Sequence, residues 1–337
     1  MSISIDKYTD MKINIIGCGL SGIVAAIVLK QQGHNVEMFD TRTHIGGNCY
    51  DSNLNGIIVH NYGPHIFHTN DEQVWEFINR YSSFNDFKYK PKAQLNDNSL
   101  ITLPYCLTTI KEIGRELDSE EIINMIYRDY SEKQWGVPFD QISKAIITRV
   151  PVLKNEESPS WYGAERYQGV PIKGYTNMMT NMLEGIKYNL GVNPQDYKKY
   201  KADLIIYTGR IDEYYNFVYG HLPYRTLRFE HEITNTRLQH HTINQCNTVN
   251  AYTRIYDHSY FLNQNEPLTV ITKEYPLEFK EQGIPFYPIP FGAGQELYKQ
   301  YRALAIKETN ILFLGRLATY KYLDMWVAIK QALNIKL

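Results

Sequence analysis

The run from Lys12 to Asn48, KINIIGCGLSGIVAAIVLKQQGHNVEMFDTRTHIGGN, decides the fold. Its first residues, Lys12 to Ile16, predict a short strand. Gly17, Gly19 and Gly22 follow in G-x-G-x-x-G spacing, and the apolar stretch from Ser21 to Gln32 predicts a helix. A second strand ends at Asp40. Strand, glycine turn, helix, strand and acid together are the context a dinucleotide-binding unit requires. Gly17 permits the tight turn, Gly19 lets the backbone approach a pyrophosphate, and Gly22 lets helix and strand pack closely. The pyrophosphate would sit on the helix N-terminus, where free N–H groups and the dipole favour an anion. Asp40 is placed to accept from a ribose 2′-OH.

A second glycine pair, Gly46-Gly47 before Asn48, stands just beyond. Its presence there resembles FAD-binding chains more than NAD dehydrogenases. The 337 residues allow one large or two to three modest domains, and 43% apolar content supports an ordinary core. A net charge of −1 gives no reason to expect nucleic acid or an anionic membrane as partner. No apolar run is long enough to span a bilayer. The N-terminus, MSISIDKYTD, lacks the basic and apolar regions of a signal peptide and reads as a loose leader. A cytoplasmic location is the expectation. Cys18, Cys49, Cys106 and Cys246 lack C-x-x-C spacing and read as reduced structural thiols. Cys18 lies inside the glycine turn, so its alkylation is expected to block cofactor binding.

Further along, residues 71–81 predict an amphipathic helix with Val74, Phe77, Ile78 and Tyr81 on one face, capped by Thr69 or Asn70. Residues 109–130 predict one or two short helices, and 175–184 another, ended by Gly185. IKYNLG and ADLIIYTG, the latter ending at Gly209, read as strands. Residues 224–290 are rich in Thr, Tyr, Phe and Ile with breaks at Asn and Pro, which predicts antiparallel strands. The chain closes with a strand from Ile311 to Leu314, Gly315, and a helix near Asp324. The nucleotide domain is therefore discontinuous, with the intervening segments forming a substrate domain and the site in the crevice between them.

Four constellations could carry chemistry. In YSEKQWG, Tyr130 and Trp135 are five residues apart and flank a planar base only if a helix ends between them; otherwise they are core aromatics. Arg149, Arg225, Arg254 and Arg316 stand among apolar or aromatic residues, where an arginine is either paired or ligand-facing. Tyrosine is abundant, 28 residues against 13 Phe, and Tyr287, Tyr320 and Tyr322 form a late group able to donate to phosphate oxygens without adding charge. Asp324 could cap the last helix. His60, His65 and His68 have no acid or cysteine spaced to complete a metal site, so no metal is expected. Gly63-Pro64 instead argues for a loop that places His65 against a cofactor. With no nucleophile elbow or P-loop, the chemistry must come largely from the cofactor.

With IGCGLSG, THIGGN, YGPHIFHTND, YSEKQWG, RYQGVPIKGYT, YTGRIDEYY, YRTLRFE, YTRIYDH, TKEYP and GRLATYKYLDM in this order, the chain resembles the bacterial UDP-galactopyranose mutases over nearly all of residues 11–337. The resemblance implies an isomerase that interconverts UDP-galactopyranose and UDP-galactofuranose with no net redox. It also implies bound FAD, active when reduced by NADH or NADPH, whose N5 forms a covalent adduct with the sugar. The family fold is α/β, with a discontinuous Rossmann-like FAD domain (11–75, 174–222, 303–337), a small helical domain (104–148) and an antiparallel sheet domain (76–103, 149–173, 223–302) with a flap near 150–168. Carried over position by position, Arg149 and Arg254 fall on the diphosphate arginines and Tyr287 and Tyr322 on the phosphate-binding tyrosines. Tyr130 and Trp135 fall on the uridine motif, Tyr162 and Asn85 on the substrate side, and His65 beside the flavin. Cofactor contacts are expected at Gly17, Gly19, Leu20, Ser21, Gly22, Asp40, Arg42, Gly46, Gly47, Asn48, His65, Ile66, Gly209, Arg225, Gly315, Arg316, Tyr322, Asp324 and Met325.

The chain departs from the family between Asn85 and Tyr130, where the usual helical insertion is shortened. That insertion helps relatives to dimerise, so a monomer or a non-standard dimer is expected. A competing reading, an FAD-dependent amine oxidase, needs an apolar cage and fewer phosphate-matching arginines. An NAD(P)-linked dehydrogenase and a non-catalytic nucleotide-sugar binder are the others.

Overall fold

The computed structural model describes residues 10–148, 150–193, 196, 199–280 and 283–337; most of the N-terminal leader and Arg149 lie outside them. Its first layer is a five-stranded sheet, all parallel, in the order 187–189, 35–39, 12–16, 204–207, 311–313. Central strand Lys12–Ile16 has four of its five residues buried, as a strand covered on both faces must. Helix Leu20–Gln31 packs on one face with Ile23, Val24, Ala25, Ala26 and Leu29 fully buried. Helices Gly174–Met182 and Met325–Leu333 complete that layer and join the same core. Strands from three distant parts of the chain thus build one sheet.

The second layer is a seven-stranded sheet in the order 287–288, 224–234, 269–278, 254–257, 242–245, 92–94, 100–102. Its long central pair, Tyr224–Thr234 and Thr269–Glu278, runs antiparallel over ten residue pairs. One pair breaks the expected pattern: Thr242–Gln245 runs parallel to Lys92–Gln94, because the chain returns to this edge from a distant segment.

Between Leu107 and Trp135 the chain is helical in pieces. Leu107–Ile113 ends at Gly114, with φ +87°. Ser119–Ile122, capped by Asp118, passes through a π turn at Ile123–Tyr127 into Arg128–Trp135, which ends at Gly136 with φ +68°. Ile122, Ile126 and Tyr127 pack against Ala93, Ile101 and Tyr105. The helix foreseen near 71–81 spans Glu72–Asn79 and buries Val74, Phe77 and Ile78. Its cap is Asp71, which accepts from the Val74 amide, rather than Thr69 or Asn70. Thr69 Oγ1 instead accepts from the Asp71 amide at 2.9 Å.

Candidate active site

Two cavities lie side by side. The first, about 480 Å³, is lined by Gly17, Gly19, Leu20, Ser21, Asp40, Arg42, Gly46, Gly47, Asn48, Gly209 and Gly315. Gly17 needs its freedom: its φ is +111°, and a Cβ there would overlap Thr208 Oγ1. Gly22 lies outside the cavity and serves packing, since a Cβ on it would overlap the Gly17 carbonyl. The second glycine pair is joined to the first turn, as the Gly46 amide donates to the Cys18 carbonyl at 2.7 Å and Gly19 pairs with Gly46. Asp40 accepts from the Cys18 amide at 2.7 Å and the Arg42 amide at 2.8 Å, which leaves it lone pairs for a ribose hydroxyl.

These residues fit an anionic dinucleotide. Arg42 donates through Nη2 to Asn48 Oδ1 at 2.8 Å, while its buried Nη1 has no hydrogen-bond partner among the described residues. A buried unpaired guanidinium nitrogen on a cavity wall calls for an acceptor from a ligand. Cys18 itself is fully buried, and burial pushes its thiol well above the usual range. It is therefore a poor alkylation target.

The second cavity, about 690 Å³, is lined by Tyr130, Trp135, Tyr162, Arg254, Tyr287 and Tyr322 among others. The two cavities share Tyr62, His65, Arg316, Asp324 and Met325. Tyr130 and Trp135 sit in the same helix, Arg128–Trp135, and not on either side of its end. They share the cavity because Tyr130, Ser131, Gln134 and Trp135 form one face of it. Tyr287 and Tyr322 stack with centroids 5.6 Å apart, and the Arg316 guanidinium lies 5.0 Å from the Tyr322 ring. Arg316 is fixed by donating to the Phe286 and Leu323 carbonyls at 3.2 and 2.6 Å. Burial raises the phenols of Tyr130, Tyr162 and Tyr287, so each is a neutral donor.

Arg254 is paired. Across the strand pair Arg254–Asp257 and Thr269–Glu278 it faces Glu274, and Nη2 donates to both carboxylate oxygens at 2.7 and 2.8 Å. Glu274 is 0% exposed. The carboxylate aims the guanidinium while part of Arg254 stays open to the cavity. Sequence reasoning missed Glu274; the available signal was a lone acid in the apolar run TVITKEYP. It also missed Asn244 and Gln134, whose side-chain oxygens are buried on this cavity without a hydrogen-bond partner among the described residues. Glu165 was missed as well. It bonds His68 Nδ1 at 2.8 Å, and the His68 ring stacks on Tyr162 at 3.7 Å.

Of the three histidines once weighed as metal ligands, His60 and His65 hold a turn together. The His65 amide donates to His60 Nδ1 at 3.0 Å. His65 Nδ1 lies 2.7 Å from the Gly63 carbonyl, so this nitrogen carries the proton and Nε2 is left as an acceptor. Burial lowers His60 to about 3, His65 to about 4 and His241 to about 4. Folded pKa values below the ordinary 6.5 mean that the unfolded chain takes up protons first. Stability is therefore expected to be level above pH 7 and to fall as pH drops from about 6.5 towards 4. Urea midpoints measured between pH 4 and 8 check this, and a flat profile would contradict buried neutral imidazoles.

Several expected contacts move elsewhere. Asn85 lines neither cavity. Its Nδ2 donates to the Phe261 carbonyl at 2.7 Å, and its Oδ1 accepts from the Phe87 and Val170 amides at 3.2 and 2.8 Å. Asn85→Ala is expected to lower stability by about 1–3 kcal/mol for each buried group left unpaired and to leave nucleotide affinity unchanged; calorimetric titration beside a melting curve separates the two. Arg225 also lies outside both cavities and donates to the Gln134 and Lys133 carbonyls at 3.0 and 3.2 Å. Ile66 and Tyr322 line the second cavity, not the first. Asp324 stands at the N-cap of Met325–Leu333, but its side chain accepts none of that helix's amides.

Comparison with known proteins agrees with this geometry. Residues 125–322 match the family described as UDP-galactopyranose mutase, and residues 15–81 match an NAD(P)-binding Rossmann-like domain. The chain belongs to the UDP-galactopyranose mutase family. A probable UDP-galactopyranose mutase of Klebsiella pneumoniae is 34% identical, covering 96% of this chain and 93% of the relative. A dTDP-fucopyranose mutase of Escherichia coli is 33% identical, covering 96% and 97%. A crystal structure of reduced UDP-galactopyranose mutase superposes with a TM-score of 0.74 at 14% identity, over 96% of this chain and 94% of that one. That likeness confirms the α/β fold with its Rossmann-like domain. Members of the UDP-galactopyranose mutase family are isomerases. Among the described residues no helix is long and apolar enough to cross a membrane.

Proposed function

We propose that this protein is a UDP-galactopyranose mutase that interconverts UDP-galactopyranose and UDP-galactofuranose. One observation carries the reading: a cavity walled by Arg254, Tyr287, Tyr322, Tyr130 and Trp135 meets a dinucleotide cavity at His65, Arg316, Asp324 and Met325. The shared wall is where the reactive end of a cofactor and the sugar of a substrate would meet. Gly17, Gly19, Leu20, Ser21, Asp40, Arg42, Gly46, Gly47 and Asn48 would hold FAD, with Gly209 and Gly315 closing the other side. When bound and reduced, the flavin would supply a nucleophile for the anomeric carbon, and NADH or NADPH would keep it reduced.

The chain's own residues supply the rest. Breaking the bond from the anomeric carbon to the β-phosphate oxygen leaves negative charge on the diphosphate. Arg254 and the hydroxyl groups of Tyr287 and Tyr322 face that charge, and their interaction strengthens as it develops. The same groups hold UDP for bond re-formation after the sugar ring has changed size. Arg149, which lies outside the described residues, is assigned a second diphosphate contact from its match to a diphosphate arginine of the family. Tyr130 and Trp135 bind the base, and the flap residues Tyr162 and Glu165 cover the site through His68. His65 presents an acceptor at the seam of the two cavities.

The test is conversion of UDP-galactofuranose to UDP-galactopyranose by flavin-loaded protein, with and without dithionite, read by chromatography. Conversion only under reduction is expected; none in either state would end the proposal. dTDP-fucopyranose is the second substrate to assay, because a relative named for it is as similar as one named for UDP-galactopyranose. The alignments run over 359 to 369 positions against 337 residues here, so the relatives carry segments that this chain lacks. A monomer or a dimer through another face is expected, and light scattering that shows the usual family dimer would refute it.

A further inference from the structure

The helix Arg128–Trp135 turns Tyr130, Ser131, Gln134 and Trp135 towards the second cavity. Lys133 lies outside that face. Its ammonium group reaches the loop after strand Thr242–Gln245 and donates to the carbonyls of Gln245, Asn250 and Tyr252 at 2.9, 3.0 and 3.4 Å. An ammonium has three donors and no acceptor, so these three oxygens saturate it. Each bond is charge-assisted and stronger than one between neutral groups.

The receiving loop is itself built. Gln245 is fully buried, and its Oε1 accepts from the side-chain amides of Asn247 and Asn250 at 3.1 and 2.7 Å. The Asn250 amide donates to Asn247 Oδ1 at 3.1 Å. Asn244 and Cys246, on either side of Gln245, line the substrate cavity, as does Arg254 after the loop. A second cation works on the same helix from the other sheet edge. Arg225 donates to the carbonyls of Lys133 and Gln134, which lack intrahelical partners at a helix C-terminus. Gly136 leaves room for it, since a Cβ there would lie 2.5 Å from Arg225 Nη1.

We propose that Lys133 is a positioning residue for substrate binding: it ties this helix to the 245–252 loop, while Arg225 ties the helix C-terminus to strand Tyr224–Thr234, and so it sets the distance between Tyr130 and Trp135 on the helix and Asn244 and Arg254 on the sheet. The proposal rests on the reading that this cavity takes a nucleoside diphosphate sugar. The lysine touches no substrate, yet a small shift of the helix would move both aromatic side chains against the base, and displacements near 1 Å are costly.

The test compares flavin-loaded wild type with Lys133→Met and Lys133→Arg. UDP affinity is read by calorimetric titration, kcat and KM by turnover, and amide hydrogen exchange is followed over 128–135 and 245–252 without ligand. Lys133→Met is expected to weaken UDP binding and raise KM about ten-fold or more. It should leave flavin content unchanged and kcat within about two-fold, and exchange should quicken in both segments. Lys133→Arg, which keeps charge and donors, should recover part of the affinity. A folded Lys133→Met with wild-type UDP affinity overturns the proposal, even if its melting temperature falls. If Lys133→Met does not fold, Lys133→Arg and Lys133→Gln decide: wild-type affinity in the glutamine variant overturns it, and loss greater in glutamine than in arginine supports it. Wild-type protein that binds no UDP would instead end the substrate reading, while the exchange rates still judge the clasp.

Discussion

Arg254→Ala is expected to lose turnover and stability together. Removing a donor aimed at developing charge costs about 2.7–4 kcal/mol, or about 10²–10³ in kcat. The second loss comes from Glu274. Its carboxylate is wholly buried and bonded by Arg254, so the substitution strands a charge. Breaking one side of a buried pair costs about 3–5 kcal/mol. Activity alone would therefore mislead. The double variant Arg254→Met, Glu274→Met removes both charges, and buried pairs replaced this way are often neutral for stability. It should unfold near the wild-type urea midpoint, retain flavin and stay inactive. Near-normal kcat/KM in that folded double variant would sink the role given to Arg254.

The glycine turn divides into residues the fold needs and one the ligand needs. Gly22→Ala drives a methyl group into the Gly17 carbonyl, a backbone atom that cannot rotate away. Gly17→Ala meets Thr208 Oγ1 and an unfavourable φ of +111° as well. Both variants should yield protein without flavin and with a lowered apo-protein melting temperature. A Cβ on Gly19 would lie 3.7 Å from Gly47 Cα, an ordinary contact. Gly19→Ala should therefore keep the apo-protein's melting temperature and lose cofactor affinity alone. The ratio of flavin to protein after purification, beside apo melting curves, distinguishes the two classes. Full flavin occupancy in Gly19→Ala would show that the cofactor does not approach the turn there.

What could be read in advance had a local cause. The Lys12–Ile16 strand, the helix after it and the buried face of Glu72–Asn79 follow from spacing along one element. Tyr287, Tyr322, Arg254 and His65 were found through motif context, and all four line the second cavity. What escaped depends on register between distant strands. Glu274 meets Arg254 only because those positions pair across two strands, and no periodicity in either strand announces it. Arg225 and Asn85 carried the right residue types for a ligand but found backbone partners first. Tyr130 and Trp135 were separated by assuming a helix end, whereas the π turn before them leaves a regular helix running through both.

The hydrogen bond from the Gly46 amide to the Cys18 carbonyl has a bearing on timing. A chain made from its N-terminus has the first half of the cofactor cradle in hand once residue 47 has emerged. The opposite half, Thr208-Gly209 and Gly315-Arg316, arrives later, with strands 204–207 and 311–313. The half-cradle made first therefore stays open until strand 311–313 docks beside strand 204–207, and only then can the cofactor be enclosed. Enclosure depends on that docking, which makes strand 311–313 the latch of the cofactor site.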